Sequence, residues 1–415
     1  MKIIHTSDWH IGKQLKKVDF AVDMSLFFKW LIDLIEQEEI DVLLMSGDLF
    51  DHANPTQHAL NQYYDFLVDM LSKNPTCKMI LTGGNHDSSA VINAPKELLG
   101  RLNVSVVGGV PEDISDLFIP VKKGDVEIVV AAVPFLRDKD IRKANAGESY
   151  DEKIELTRKG VANYFQAVNE HYLEHFGKIP FIVMGHLYAQ GAEVSDSERE
   201  IQVGNQAGID SAIFGEYPHY VALGHIHKPQ IVGKENIRYC GSPISLSFSE
   251  RIDNKQVVML ELIDSQFHIK PVKIPTFRKL VRMEGTMEEV RNQLAEYTSD
   301  SPLQDLVELQ VTEEKESLGL VQELLELSVN DYGEGFKVID TRLIYLDKIK
   351  GTSSFLKQTD HINNYSPVDM FKKLIEQDEK HAKDVELLNA FKEVLELVQN
   401  GNVSFDTLSE ESEQL

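Results

Sequence analysis

The chain has 415 residues, 42% of them hydrophobic and 26% charged, and carries a formal net charge of -25 at pH 7. That length leaves room for two or three domains. The charge excludes a protein that coats itself with nucleic acid over a broad basic face, because such binding rests on phosphate neutralisation by Lys and Arg; a local site stays open. In chain order, "KIIHTSD" reads as a strand and "MSLFFKWLIDLIEQEEI" as a helix, with Leu26, Phe27, Trp30, Leu31, Leu34 and Ile35 at helical spacing. "DVLLMSGD" is a second strand, "LNQYYDFLVDMLSK" a second helix and "KMILTGGNHD" a third strand. Further strands are expected at "VEIVVAAVPF", "PFIVMGHL", "HYVALGHIH" and "KQVVMLEL", the last closing the sheet system near residue 262. This is an α/β alternation.

Around "KPVKIPTFRKL", with Pro271 and Pro275 four residues apart, the pattern changes, so a first domain is expected over residues 1–272. Strand, helix, strand, helix, strand then follow in "KLVRMEG", "MEEVRNQLAEY", "LVELQVTE", "LVQELLELS" and "RLIYLDK", a small α+β unit over 273–348. Residues 349–415 begin with the polar linker "GTSSFLKQTDHINNYSP" and continue with two amphipathic helices before the acidic tail "LSEESEQL". The helical stripes are Met370, Phe371, Leu374 and Ile375, and Leu387, Leu388, Phe391, Val394 and Leu395. No secretory signal and no apolar run of the ~20 residues needed to span a bilayer is found, so a cytoplasmic protein without membrane contact is expected. Cys77 and Cys240 stand alone, which suggests neither a disulfide framework nor a thiolate metal site. Metal ligands must then be oxygen and imidazole nitrogen.

Five segments place such ligands where a strand gives way to a loop. "HTSDWHIGK" offers Asp8 and His10, which in an extended segment point the same way. "GDLFD" offers Asp48 and Asp51, "GGNHD" offers Asn85, His86 and Asp87, "GHL" offers His186, and "GHIH" offers His225 and His227. In open α/β sheets, sites gather beyond the carboxyl ends of the strands, so the five can converge on one crevice. Among the neighbours, Asp87 is expected to cap its turn, His5 to pack within the sheet and His52 to be an exposed loop histidine. Ser242 has no evident base beside it, which argues against a serine nucleophile.

In this order, D-x-H, G-D-x-x-D, G-N-H-D, G-H and G-H-x-H resemble the signature of the calcineurin-like metallophosphoesterases. "HTSDWHIG", "SGDLFD", "PFLR", "YVALGHIHKPQ" and "RYCGSPISLSF" are similar, more closely, to nuclease subunits of the SbcD type, relatives of the double-strand-break repair nucleases of archaea and eukaryotes. The similarity covers roughly residues 1–275.

The resemblance implies a four-layer α/β/β/α sandwich with a small α+β capping domain and C-terminal helices. It implies that Asp8, His10, Asp48 and His227 hold one metal and Asp48, Asn85, His186 and His225 a second, with Asp48 bridging. Ligand type alone leaves Mn, Fe, Zn and Co open, whereas the resemblance points to Mn(II). His86 would be the catalytic histidine, placed to protonate the leaving 3′-oxygen or stabilise the transition state, and Asp51 the carboxylate that orients His86. The activity implied is a Mn-dependent, ATP-dependent 3′-to-5′ double-strand exonuclease and single-strand or hairpin endonuclease in DNA repair, recombination and replication. The chain has no G-x-x-x-x-G-K-[ST] phosphate loop, so ATP must act through a partner, an SbcC-type ATPase with a long coiled coil that would dock on the C-terminal helices. A homodimer within a heterotetramer is also implied, with Tyr63, Phe66, Leu67 and Met70 as candidate contacts. DNA would meet Lys13, Lys16, Lys17, Arg137 and His52, although charge runs by themselves read as solvated surface. The same centre would serve a calcineurin-like phosphatase or a cyclic-nucleotide phosphodiesterase, and a metal-free scaffold of this fold is a third reading; all seven ligand positions are filled, which counts against the last.

Overall fold

The computed structural model describes residues 1–142, 148–195, 198, 208–314, 318–330, 332–333 and 335–346, with isolated positions between Val368 and Leu395. The chain starts with β1 (Lys2–Thr6), β2 (Gln14–Leu15), β3 (Val18–Asp19), α1 (Ala21–Glu38), β4 (Val42–Ser46), α2 (Gln57–Lys73) and β5 (Lys78–Thr82). It continues with α3 (Ser89–Asn93), α4 (Lys96–Gly100), β6 (Val104–Val107), β7 (Phe118–Lys123), β8 (Val126–Ala132), α5 (Asp138–Ile141) and α6 (Tyr150–His175). Then come β9 (Phe181–His186), β10 (Tyr220–Gly224), β11 (Gln230–Val232), β12 (Lys234–Tyr239), β13 (Gln256–Ile263) and β14 (Gln266–Lys273). β15 (Leu280–Gly285), α7 (Met287–Glu296), β16 (Asp305–Glu313), α8 (Leu318–Val329) and β17 (Phe336–Tyr345) complete the elements.

Two six-stranded sheets form the body, in the orders β14-β13-β1-β4-β5-β6 and β11-β12-β10-β9-β8-β7. β1, β4, β5 and β6 run parallel, as do β8, β9, β10 and β12, while β13, β14, β7 and β11 are antiparallel additions at the edges. The central strands are buried on both faces, which is why they read as unbroken apolar runs instead of alternating ones. On β4, Leu43 and Met45 join α1 and α2 in one core, whereas Val42 and Leu44 join the second sheet in the other. On the second sheet, Phe181 of β9 stacks on Tyr172 of α6. The layers are therefore helix, sheet, sheet, helix, the α/β sandwich expected.

The apolar stripe of α2 faces inward. Tyr63, Phe66, Leu67 and Met70, expected as candidate contacts with a second copy, are at most 4% exposed and pack on their own sheet. Spacing alone cannot distinguish a sheet from a partner as the surface such a stripe covers. The exposed apolar residues of that helix are Tyr64 and Val68.

β15, β16 and β17 form a three-stranded sheet in that order, with the strand–helix alternation expected. β14 runs to Lys273, and the first compact unit comprises Met1–Met283, Ala295–Leu309 and Leu327–Asp340. Glu284–Leu294 and Gln310–Glu326 belong to a second. The polar linker and most of the two C-terminal helices lie outside the described residues; of their stripes, the Phe371 and Phe391 rings stack at 3.9 Å. Among the described residues no helix is long and apolar enough to cross a membrane.

Candidate metal centre

β1, β4, β5, β9 and β10 all end at the same side of the sandwich, and each hands over to one of the five polar segments. The handover is by sharp bends. Asp8, His10, Asp48 and His225 all have positive φ (54°, 46°, 55° and 98°), a region that costs a non-glycine residue of order 1 kcal/mol or more. Asp8 and His10 therefore do not converge as i and i+2 of an extended strand, as expected; β1 stops at Thr6 and the loop turns both inward. Cross-links hold the bends: the amides of Asp8 and His10 donate to Gly47 O (3.0 Å) and Asp48 O (3.1 Å), and His225 N donates to Asp8 Oδ1 (2.8 Å). Between Asp8 and His10, Trp9 turns away into the helical layer, its ring 4.9 Å from Phe28 and 5.0 Å from Phe66.

The sheets approach closely here, and Gly224 is where side-chain volume is forbidden. A Cβ there would collide with Ser46 O and come within 2.9 Å of His186 Nδ1. Gly224→Ala is expected to lower stability by ~1–3 kcal/mol through overpacking and to displace His186. The checks are a denaturation midpoint and metal content, and unchanged values of both would refute the close-approach argument.

Ligand atoms fall into three groups, each within 4.8 Å: Asp8, His10 and His227; His10, Asp48 and His86; Asp48, His186 and His225. Whether they suit a cation can be judged from the ring nitrogens. His10 Nδ1 donates to Asp51 Oδ1 (3.2 Å) and His227 Nδ1 to Glu250 Oε1 (3.1 Å), which leaves two Nε2 lone pairs facing each other at 3.1 Å. His186 Nδ1 donates to Ser46 O (3.0 Å), so its Nε2 lone pair faces Asn85 Oδ1 (2.9 Å) and Asp48 Oδ2 (3.3 Å), two more acceptors. His225 Nδ1 lies 3.3 Å from Asn85 Oδ1, and its Nε2 is buried without a partner. With the rings written as neutral tautomers, acceptor faces acceptor, an arrangement that a positive charge resolves, whether a proton on His186 or a metal ion.

The electrostatics agree. Burial opposes charge on His186, yet Asp48 and Asp8 push it up to about 9, so the pocket draws in positive charge. Burial likewise opposes charge on Asp48, but His186, His86 and His10 hold its carboxyl well below the usual range. Burial and the neighbouring His186 push His225 well below an ordinary imidazole, which keeps it neutral, the ligand form. The donor set of oxygen and imidazole fits a divalent metal.

Around this centre the outer residues depart from expectation in instructive ways. His86 N donates to Asp48 Oδ1 (2.9 Å), and its Nδ1 donates to the Asp51 main-chain carbonyl (2.7 Å). The Asp51 carboxylate, expected to orient His86, instead meets His10 (3.2 Å), Lys13 (3.2 Å) and His52 (3.3 Å). The loop after Asp48 turns the Asp51 carbonyl to His86 and its side chain to His10. Asp87, expected to cap the turn after G-G-N-H-D, instead ties that loop to the one before it: its carboxylate accepts from the amides of Leu49 (3.0 Å), Phe50 (3.0 Å) and Gly84 (2.9 Å). Burial and nearby Asp48 push it up to about 6, against those hydrogen bonds. Arg137, considered for DNA, is half-buried and donates to Asp87 O (2.9 Å) and Ser89 Oγ (3.3 Å), so it braces the G-N-H-D loop. Lys16 pairs with Asp340 (3.1 Å), Lys17 and His52 are exposed, and His5 is fully buried against Tyr220.

Sequence reasoning missed Glu250 and Lys255, both buried, the first holding the ring of His227. Ser242 does have a lysine beside it, Lys255 Nζ at 2.8 Å, but its hydroxyl is fully buried among Glu250 and Ile244 O and no substrate reaches it.

The profile of the family described as Calcineurin-like phosphoesterase matches residues 1–229. The SbcD protein of the SbcCD nuclease from Escherichia coli (strain K12) is 31% identical over 309 residues, which cover 72% of this chain and 74% of that protein. Its namesake in Rhodobacter capsulatus is 33% identical over 270 residues, 63% of this chain and 66% of that one. The one in Bacillus subtilis (strain 168) is 28% identical over 288 residues, 69% and 70% of the two chains.

Proposed function

Because the chain belongs to the calcineurin-like phosphoesterases, in the SbcD branch of nucleases, we propose that it hydrolyses DNA phosphodiesters with two divalent ions. Asp8, His10, Asp48 and His227 would hold one ion and Asp48, Asn85, His186 and His225 the other. The observation that carries this is the sharing of His10 and Asp48 among the three groups of ligand atoms, and that Asp48 is common to two of them supports it as the bridging carboxylate. The ions, manganese by resemblance, would supply an activated water and charge stabilisation at the phosphate. His86 has its Nδ1 committed to the Asp51 carbonyl, which supports a role for Nε2 in protonating the leaving oxygen or stabilising the transition state. The Asp51 carboxylate orients His10, and Asp87 with Arg137 fixes the loop that carries Asn85 and His86.

DNA would reach the centre past Lys13 and His52, which flank Asp51. The ATP-dependent 3′-to-5′ exonuclease and hairpin endonuclease activities belong to a complex with an SbcC-type ATPase in the cytoplasm, acting in repair, recombination and replication. A partner of that kind would bring positive charge that this acidic chain lacks. Residues 349–415 are assigned to that partner, 1–272 to the nuclease domain and 273–348 to the cap. A homodimer within a heterotetramer would use the exposed Tyr64 and Val68 rather than the buried face of α2.

The test is to add Mn(II) to purified protein, with and without an SbcC-type partner, and to compare linear, hairpin and plasmid DNA with a p-nitrophenyl phosphodiester. Metal-dependent cleavage of linear and hairpin DNA is expected. Turnover of the small ester with no DNA cleaved, partner included, would point instead to a phosphatase or cyclic-nucleotide phosphodiesterase and sink the nuclease assignment.

A further inference from the structure

Behind His227 lies a buried polar cluster that carries a full ion pair. Glu250 ends a short helical turn, Phe248–Glu250, and is wholly buried; Lys255, 8% exposed, precedes β13. Glu250 Oε1 accepts from His227 Nδ1 (3.1 Å), and its Oε2 accepts from Lys255 Nζ (2.5 Å) and the Leu246 amide (3.1 Å). Lys255 Nζ also donates to the His227 carbonyl (3.1 Å) and to Ser242 Oγ (2.8 Å). The His227 amide donates to Glu198 Oε1 (2.8 Å). His227 is thus gripped at its amide, its carbonyl and its inner ring nitrogen, and the one ring atom left to face the centre is Nε2, 3.1 Å from His10 Nε2.

A neutral imidazole exists as two tautomers, and a ring held only by packing would populate both. A carboxylate accepts but cannot donate, so of the two neutral tautomers Glu250 admits only the one with the proton on Nδ1 and a lone pair on Nε2. Lys255 in turn pairs with that carboxylate and, through its bond to the His227 carbonyl, fixes the backbone on which the ring is mounted. On these grounds, and resting on the metal-centre reading above, we propose that Glu250 and Lys255 form a positioning pair that selects the metal-binding tautomer of His227. The pair acts on the ion held by Asp8, His10 and His227, and not on the one at His186 and His225, whose rings it does not touch. Asp51 acts on His10 in the same way from the opposite side. The two histidines of that ion therefore each have a carboxylate behind them, whereas His186 leans on the weaker main-chain acceptor Ser46 O.

The experiment uses full-length protein and Mn(II) as the probe. Glu250→Gln alone leaves Lys255 charged and buried, which can unfold the chain. The deciding variant is therefore the double substitution Glu250→Gln with Lys255→Met, which removes both charges and keeps the volume. It is expected to melt as a folded protein, to bind one Mn(II) equivalent as the wild type does and to bind the other about 10–100-fold more weakly by calorimetry. In metal-free protein with ¹⁵N-labelled histidine, the His227 signals are expected to shift from a single Nδ1-protonated tautomer toward a mixture. A folded double variant that binds two equivalents at wild-type affinity, or keeps the single tautomer, would overturn the inference. Wild-type protein that binds no Mn(II) would overturn the metal-centre reading itself, and this inference with it.

Discussion

Replacing Asp48 with alanine is expected to strip metal from both halves of the centre and to lower phosphodiester hydrolysis by about a thousandfold or more. The carboxylate stands in two of the three groups of ligand atoms, and Oδ2 lies 3.6 Å from His10 Nε2 and 3.3 Å from His186 Nε2. No neighbouring side chain can take that place, because Asp8 is committed to the His225 amide and Ser7, and Asn85 carries no charge. Charge stabilisation at a metal-assisted phosphoryl site contributes several kcal/mol, and each ~1.4 kcal/mol is a factor of ten in rate. The Asp48 carboxylate also caps the His86 amide at 2.9 Å, so the variant loses a buried charge-assisted hydrogen bond, ~1–3 kcal/mol, as well as the metal. Elemental analysis of the dialysed variant beside its steady-state rate is the measurement. Two retained equivalents of metal with normal turnover would remove Asp48 from the bridging position.

Much of this centre is legible in the sequence because its donors are of an unusual kind in an unusual place. Carboxylates and imidazoles at the ends of apolar runs have little to do in a core, and Asp8, His10, Asp48, His186, His225 and His227 are all nearly or fully buried in the structure. What the sequence concealed are properties that depend on three-dimensional closure. Glu250 and Lys255 sit in a polar stretch, "SFSERIDNK", whose composition reads as surface, and only the packing of that turn against "GHIH" buries them. Asp51 is identifiable as a residue of the site, but which of its groups meets His86 depends on the loop's backbone path, which no residue pattern encodes. The stripe on α2 is visible as a stripe; that it covers the first sheet requires knowing that β4 and β5 lie beneath it. The strand periodicity behind Asp8 and His10 leads to their convergence by the wrong geometry, since four positive-φ residues do what an extended strand was expected to do.

The substitution His86→Ala separates chemistry from metal binding, and it is expected to leave both metal equivalents in place while slowing cleavage by about 10²–10⁴-fold, the usual contribution of a positioned acid or base. The ring stands perpendicular to His10 with centroids 4.7 Å apart, close enough that distance alone groups it with His10 and Asp48 as a potential ligand. Two features argue for the catalytic role. The proposed centre would already have seven other donors, and His86 follows Asn85 on a loop held by the Gly84 amide on Asp87 and by its own amide on Asp48. Its Nδ1 donates to the Asp51 carbonyl at 2.7 Å, which fixes the ring plane and makes Nε2 the nitrogen that would meet a leaving oxygen as its bond to phosphorus breaks. A substrate whose leaving group departs without protonation, such as a p-nitrophenyl ester, should therefore lose much less activity in the variant than DNA does. Metal content measured beside the two rates decides the matter: normal metal with a DNA-specific loss supports the acid role, whereas an emptied site would make His86 a ligand and leave the centre without an assigned proton donor.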